Sequence, residues 1–517
     1  MSRLARLFLL LVALPAHAKP IPAAGFDARL ATDVYVTALT FMVPRTLDPV
    51  PLPQLAIWGL RGLTALDPEL NVGLSNGALV LALRDRIVAT RPLPATPAAQ
   101  AWGEVAADLA AGAWTVSAPV RTAGTEGVVQ SFFDELFNHL DPYSRYVGPA
   151  DAQDDREHRD GTAGTGLALT SRGTAIVVTE AIPDGAGAGA GIRTGDRIIA
   201  VDGQPTLRKD AATVLDWMAG AEGTTVTIAW RGRDGRVRSA DLERSSAPPE
   251  TVFAERAGGL LLVRVTAFSR RTGERLLQEI ERSLDLGKPV QGLVLDLRGN
   301  RGGLLRQAVA AADALLPAGI VATTAGRDPN ASHVWRSAGN GRLSELPIVV
   351  VVDGRTASAA EILAAALADR GRAVVVGSVT LGKGLVQTIA QLPDGGELFV
   401  TWSRVLAPLG WPIQGLGVLP QVCTSLGEQE LARELRALDA GQAPMARALA
   451  RHNEARAPMP VAEILAIRAA CPASEGRDSD LGSARFLIGN PGAYATALLP
   501  PWSGAAARAN IPGPQPR

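Results

Sequence analysis

The sequence predicts a multidomain α/β protein. A helical region covers residues 27–150, a small β-rich module with helices 165–245, an α/β core 250–425, and a helical extension 426–517 ending in a Pro-rich tail. Three observations predict it. The chain has 517 residues, 47% hydrophobic and 20% charged, too long for one compact domain and too apolar for a disordered one. Its 54 Gly and 36 Pro, about 17% of the chain, suit a loop-rich mixed fold and exclude a collagenous one. The texture also changes along the chain, from helical periodicity to short strands, and then to continuous apolar strands alternating with helices. The 51 Lys and Arg balance 51 Asp and Glu, so there is no basic field to hold nucleic acid by counterion release.

Residues 1–18 read as an export signal, with Arg3 and Arg6, an apolar run Leu7–Leu14, and the small-x-small site Ala16-His17-Ala18. The alternative is a membrane anchor, but about eight apolar residues cover less than half of a ~30 Å hydrocarbon core. The mature chain then begins near Lys19. It holds no later run of ~18 uninterrupted apolar residues, so no membrane span is expected, and the expected compartment is the periplasm. In an oxidising compartment Cys423 and Cys471 are either two unrelated buried thiols or a disulfide. Two cysteines in an exported chain favour the disulfide, which would close a loop of about 49 residues and contribute roughly 4 kcal/mol.

In the first region, Leu55–Leu66 and Val128–Leu140 carry helical spacing, and each stops at Leu-Asp-Pro, where Pro disfavours a helical residue before it. A charged, Gly-rich linker follows over Asp151–Gly164. The module then shows strands at Ala175–Thr179, Asp196–Val201 and Thr224–Trp230, with a helix at Lys209–Ala219. Its most informative string is Gly191-Ile192-Arg193-Thr194-Gly195-Asp196-Arg197-Ile198-Ile199-Ala200-Val201-Asp202-Gly203, which resembles the core of PDZ domains. The resemblance implies strand addition by a peptide whose terminal carboxylate is caught by loop N–H groups. The loop would be Gly164-Thr165-Gly166-Leu167, and the groove would lie between the following strand and the helix bearing Val214 and Met218. Val214 and Met218 also read simply as core.

After a Ser/Pro linker over Ser245–Glu250, strands (Leu260–Val265, Gly292–Leu297, Ile348–Val352, Ala373–Val376) alternate with helices (Thr272–Leu284, Leu304–Leu316, Ala359–Asp369). That order argues a largely parallel sheet covered on both faces. Ser358 falls where the strand Ile348–Val352 turns into a helix, a place where free N–H groups favour developing negative charge; the bland alternative is an N-cap. From Ser358 a helix of about eleven residues runs roughly 16 Å. The strand after Gly371 returns a similar distance and brings Lys383 near Ser358. A Lys beside a Ser can act as its general base, provided burial lowers its pKa.

Four segments resemble the C-terminal processing, or tail-specific, serine peptidases. They are Thr356-Ala357-Ser358-Ala359-Ala360-Glu361, Gly382-Lys383-Gly384-Leu385-Val386-Gln387, Leu295-Asp296-Leu297-Arg298-Gly299-Asn300-Arg301-Gly302-Gly303, and Pro408 through Pro420. The likeness runs from about Val128 to Ser425, with the PDZ domain inserted before the α/β serine peptidase core. It implies a serine endopeptidase that needs no cofactor and cleaves protein substrates near free apolar C-termini, with PDZ-mediated selection or gating. Ser358 would be the nucleophile, Lys383 the base and Gln387 its orienter. The oxyanion hole would come from N–H groups of Ala359 and of Gly302 or Gly303. A helical-repeat lipoprotein adaptor is a further implied partner. A straight strand would put Lys383 and Gln387 roughly 13 Å apart, so a turn is expected after Lys383, at Gly384.

Other chemistries fit less well. Gly377–Lys383 spells a phosphate loop, but Gly384 replaces the Mg²⁺-binding hydroxyl. None of His139, His158, His333 and His452 lies in a triad motif, and no His pair or Cys spacing suits a metal. The rival from another class is a catalytically silent PDZ scaffold on a peptidase-like fold.

Overall fold

The structure is a computed structural model. It describes residues 25–500 apart from 161, 183–184, 221–222, 248–249, 286–288, 340–345 and 499. The export signal and residues 501–517 of the tail lie outside the described residues. The chain divides into two compact units, one of residues up to 40 with 51–140, the other of 41–50 with 141–517.

The first unit is built on α1 (Ala28–Met42, whose end enters the second unit), α2 (Leu52–Leu66), α3 (Ala99–Val116) and α4 (Ala118–Asn138, broken at Gly124). Tyr35 stacks on Phe132 with ring centroids 4.2 Å apart. Gly62 lets α2 approach α4 so closely that a Cβ there would lie 2.1 Å from the Ser131 carbonyl oxygen. The helical reading misses an antiparallel ribbon of β1 (Leu70–Ser75), β2 (Ala78–Leu83) and β3 (Arg86–Pro92). Its first turn is Asn76-Gly77, both with positive φ, the chemistry of a two-residue hairpin, while Leu70, Val72, Leu79 and Leu81 face inward.

The second unit opens with β4 (Arg145–Val147), α5 (Pro149–Asp160) and β5 (Thr162–Gly164). The expected linker Asp151–Gly164 is therefore largely helix. Pro149 starts it, Ala152 is buried, and Arg156 pairs with the buried Glu397 at 3.2 Å. The PDZ-like module comprises β6 (Leu167–Arg172), β7 (Ala175–Ala181), α6 (Ala186–Gly189), β8 (Arg197–Val201), β9 (Gln204–Pro205), α7 (Ala211–Met218), β10 (Thr225–Arg231) and β11 (Val237–Glu243). Its sheet runs β11-β10-β8-β7-β6, with β9 beside β8. The second expected linker contains β12 (Ser245–Ala247), which pairs antiparallel with β5, Ser245 opposite Gly164. Each connection is ordered because it satisfies the other's backbone groups.

The core holds β13 (Val252–Ala257), β14 (Leu260–Val265), α8 (Thr272–Leu284), β15 (Gly292–Asp296), α9 (Leu305–Leu315), β16 (Gly319–Gly326), β17 (His333–Ser337), β18 (Ile348–Val352), α10 (Ala359–Asp369), β19 (Ala373–Gly377), β20 (Leu385–Gln391), β21 (Glu397–Leu406) and β22 (Val422–Cys423). Strands and helices expected between 260 and 376 stand within one residue of their expected bounds. The main sheet runs β13-β14-β15-β18-β19-β22, parallel from β14 onward. Val350, Val352 and Val375 pack on one face with residues of α8, α9 and α10. Val349, Val351, Val374 and Val376 pack on the other with Leu431, Leu438, Leu487 and Ile488. Those last four belong to α11 (Glu428–Asp439) and α14 (Asp478–Gly489), which the extension contributes with α12 (Ala446–Asn453), α13 (Val461–Arg468) and α15 (Pro491–Ala497). A second, antiparallel sheet, β17-β16-β21-β20 with β4 beside β21, was not expected. Its sequence signal is the turn Pro393-Asp394-Gly395-Gly396 between apolar runs. Cys423 and Cys471 are joined, with Sγ atoms 2.09 Å apart. No helix among the described residues is long and apolar enough to cross a membrane.

Candidate active site

The buried strand β18 ends in a tight turn that carries Ser358 to the head of α10. Asp353 builds the turn by accepting hydrogen bonds from the N–H of Gly299, Arg355 and Thr356 and from the Thr356 hydroxyl. The Ala357 N–H donates to the Asn300 carbonyl at 2.9 Å. Ser358 is left with φ 57° and ψ −120°, a backbone that costs a non-glycine residue on the order of 1–3 kcal/mol and persists only when its surroundings over-determine it.

The Gly302–Gly303 loop packs directly on this turn. A Cβ at Gly302 would lie 2.7 Å from the Ser358 Cβ, and one at Gly303 would lie 2.3 Å from the Phe268 carbonyl oxygen, so only glycine fits. Asn300 pins the loop from inside, accepting from the Gly302 N–H and donating to the Val265 carbonyl, both at 2.8 Å. Gly302 therefore spends its N–H on Asn300. Among the described residues, the N–H groups of Gly303 and Ala359 make no hydrogen bond.

Lys383 reaches the same place by the predicted route, through α10, a turn at Gly371 (φ 60°) and β19. What fixes it is Glu361, a residue the sequence reading quoted without assigning a role. Its carboxylate is fully buried. One oxygen accepts from the Gly382 N–H at 2.7 Å and from the Thr380 hydroxyl; the other accepts from the N–H of Ser358 and of Lys383, each at 2.8 Å. Every partner presents a hydrogen to it, which suits the ionised form. Burial nevertheless pushes its pKa up from the usual carboxylate range, with these bonds pulling the other way.

The Lys383 ammonium lies 5.0 Å from the centre of the Tyr143 ring. Its pKa is lowered, first by burial and then by the Arg145 charge, with Glu361 opposing. Among the described residues it makes no hydrogen bond with Ser358 or Gln387. The Gln387 amide donates instead to the Leu385 carbonyl and to the Thr401 hydroxyl, which in turn donates to Asp141. The turn expected at Gly384 is absent. Gly384 serves a close approach, since a Cβ there would be 2.2 Å from the Gln414 nitrogen, and a bulge between Val386 and Gln387 re-aims the strand. Tyr143, Arg145 and Asp141 escaped the sequence reading because Asp141-Pro142 signals only a helix stop.

In the module, Leu167, Val214 and Met218 are buried together. The Gly166 carbonyl accepts from Ile182 and the Thr165 carbonyl from Gly187, while Gly164 is paired in β5. β6 is the outer strand of its sheet, with α7 beside it.

Residues 259–424 match the model of peptidase family S41, and residues 177–232 match a PDZ domain. A carboxy-terminal-processing protease of Bartonella bacilliformis is 32% identical over 318 residues, 60% of this chain and 72% of that protein. The chain belongs to the carboxy-terminal-processing proteases of peptidase family S41. A second member, the carboxyl-terminal-processing protease of a Picosynechococcus species, is 31% identical over 291 residues, 54% of this chain and 69% of that protein. Among solved structures, a photosystem II D1 C-terminal processing protease is 29% identical over 61% of this chain and 86% of that one, at a TM-score of 0.34. As a member of family S41 the protein is a serine peptidase with a PDZ domain, acting on proteins or peptides.

Proposed function

We propose that this serine peptidase is an exported endopeptidase that cuts protein substrates near their C-termini through a Ser358–Lys383 acyl-enzyme mechanism. The observation that carries the reading is the single Glu361 oxygen that binds the backbone N–H of both residues, because it keeps nucleophile and base in one register. In its neutral form, which burial favours, Lys383 swings from the Tyr143 ring to take the Ser358 hydroxyl proton, and Oγ attacks the scissile carbonyl. The unoccupied N–H groups of Ala359 and Gly303 receive the oxyanion at the head of α10; Gly302 holds the loop. Lys383 then returns the proton to the leaving amine, and water releases the acyl group by the same path. The reading assigns Gln387 the role of orienting Lys383 once it leaves Tyr143, which requires its amide to give up a bond to Leu385 or Thr401. Periplasmic location and delivery by a helical-repeat lipoprotein adaptor belong to the same proposal, supported by the Arg3–Ala18 signal and the family resemblance.

The test is hydrolysis of an unfolded protein such as casein by the wild type and by Ser358→Ala and Lys383→Ala. Each variant is expected to fold and to lose turnover together, because the pair acts as a unit. Residual activity above about a tenth of wild type in Lys383→Ala overturns the dyad. A wild type that binds peptides and never cuts them returns the reading to a PDZ scaffold.

A further inference from the structure

The helix α13 lies beyond the residues that match the S41 family, yet its last residue reaches the catalytic lysine's support. Both neighbours of Lys383 are held by one loop: the Gly382 carbonyl accepts from the Gly415 N–H at 2.8 Å, and the Gly384 N–H donates to the Gln414 side chain at 2.9 Å. The loop's outward carbonyls are in turn held by the C-terminal extension. Arg468 Nη1 donates to the Leu416 carbonyl at 2.9 Å and to the Gly415 carbonyl at 3.3 Å. The buried His452 lies 2.8 Å from the Gly417 carbonyl. Gly417 (φ 71°) is glycine where a Cβ would sit 2.9 Å from Arg468 Nη1. The Arg468 guanidinium also feels the Glu361 carboxylate, although the two form no ion pair within 4 Å.

We propose that Arg468 is a positioning residue for the reaction: it holds the Gly415 and Leu416 carbonyls and, through that loop, keeps Lys383 in the register where it shares the Glu361 carboxylate with Ser358. This rests on the Ser–Lys reading above. The planar guanidinium donates to two neighbouring carbonyls at once from a half-buried position, which an apolar residue at 468 cannot do. The extension therefore supplies part of the active-site scaffold as well as a cover for the sheet.

Arg468→Ala in the full chain tests it, with Ser358→Ala as the reference. The expected result is a kcat lowered by about tenfold or more, with KM changed less than about twofold. Guanidinium chloride well below denaturing concentrations should recover part of the loss, and sodium chloride at the same concentration should not. Arg468→Lys, which keeps a donor cation, should fall between. Wild-type kcat in Arg468→Ala overturns the inference. So does a loss that guanidinium leaves unchanged and that Arg468→Lys shows in full, since general packing damage behaves that way. If Arg468→Ala does not fold, Arg468→Met, which keeps the stem, is read by the same criteria. Activity surviving in Ser358→Ala would instead overturn the Ser–Lys reading.

Discussion

At Ser358 the backbone stands where a side chain is unwelcome, and the surrounding hydrogen bonds hold it there. Two inactive variants should therefore differ in stability. Ser358→Gly is expected to be more stable than Ser358→Ala by about 1 kcal/mol, measured by denaturant unfolding; equal stabilities would mean the turn carries no strain. Lys383 yields a pH dependence. In the proposed mechanism it acts as a base only when neutral, so activity rises with pH through its pKa, and a lowered pKa puts that limb below the ordinary lysine value of about 10.4. Arg145 repels the ammonium, so Arg145→Met should move the limb in kcat/KM to higher pH. Glu361 stabilises the ammonium, so Glu361→Gln should move it lower while reducing the rate. Limbs that stay in place would remove these charges from the account. The strand, turn and helix around Ser358 and the return path to Lys383 were legible, because they are local patterns of fixed rise per residue. Tyr143 and Arg145 were not, lying some 240 residues away with no periodicity to connect them.

The strands of the main sheet show how far an element can be read. Leu260–Val265, Gly292–Asp296, Ile348–Val352 and Ala373–Gly377 are nearly unbroken apolar runs, which announces cover on both faces. The sequence did not say that the second cover comes from beyond residue 425. Alternate valines of β18 and β19 meet α11 and α14, and the Tyr494 hydroxyl of α15 bonds both backbone groups of Ile348 at 3.0 Å. Leu487→Ala, which empties a fully buried position under this cover, is expected to cost about 2–5 kcal/mol in denaturant unfolding. A loss below about 1 kcal/mol would mean that α14 packs only loosely. Cys423 of β22 and Cys471 tie the same extension to the sheet. Unreduced digests should give one cross-linked peptide by mass spectrometry, and reduction should lower the melting temperature; two free thiols in the protein isolated without reductant would contradict the pairing. The hairpin at Asn76-Gly77 was legible in principle, but helical periodicity on either side masked it.

For the whole molecule, the question is what the PDZ domain does for the peptidase. Its outer strand β6 beside α7 is an edge at which a peptide could add as a further strand, with its carboxylate toward the Gly164–Leu167 loop. Leu167, Val214 and Met218 belong to the domain's buried core, so the test falls on the edge and the loop: on the strand-addition proposal, a substrate ending in a free apolar carboxylate should be cleaved faster than its amidated twin. The preference should vanish when residues 165–244 are replaced by a two-residue Asn-Gly turn. Equal cleavage of both twins by the intact protein would leave the domain a structural or partner-binding role. The replacement is feasible because of the β5–β12 pairing. Loop-closure entropy grows with the chain length between two joined points, yet Gly164 and Ser245 already face each other across a ladder. To the peptidase core, some eighty intervening residues are thus a detour that ends where it began, so a different binding module could be spliced between the same two strands without re-folding the enzyme beneath.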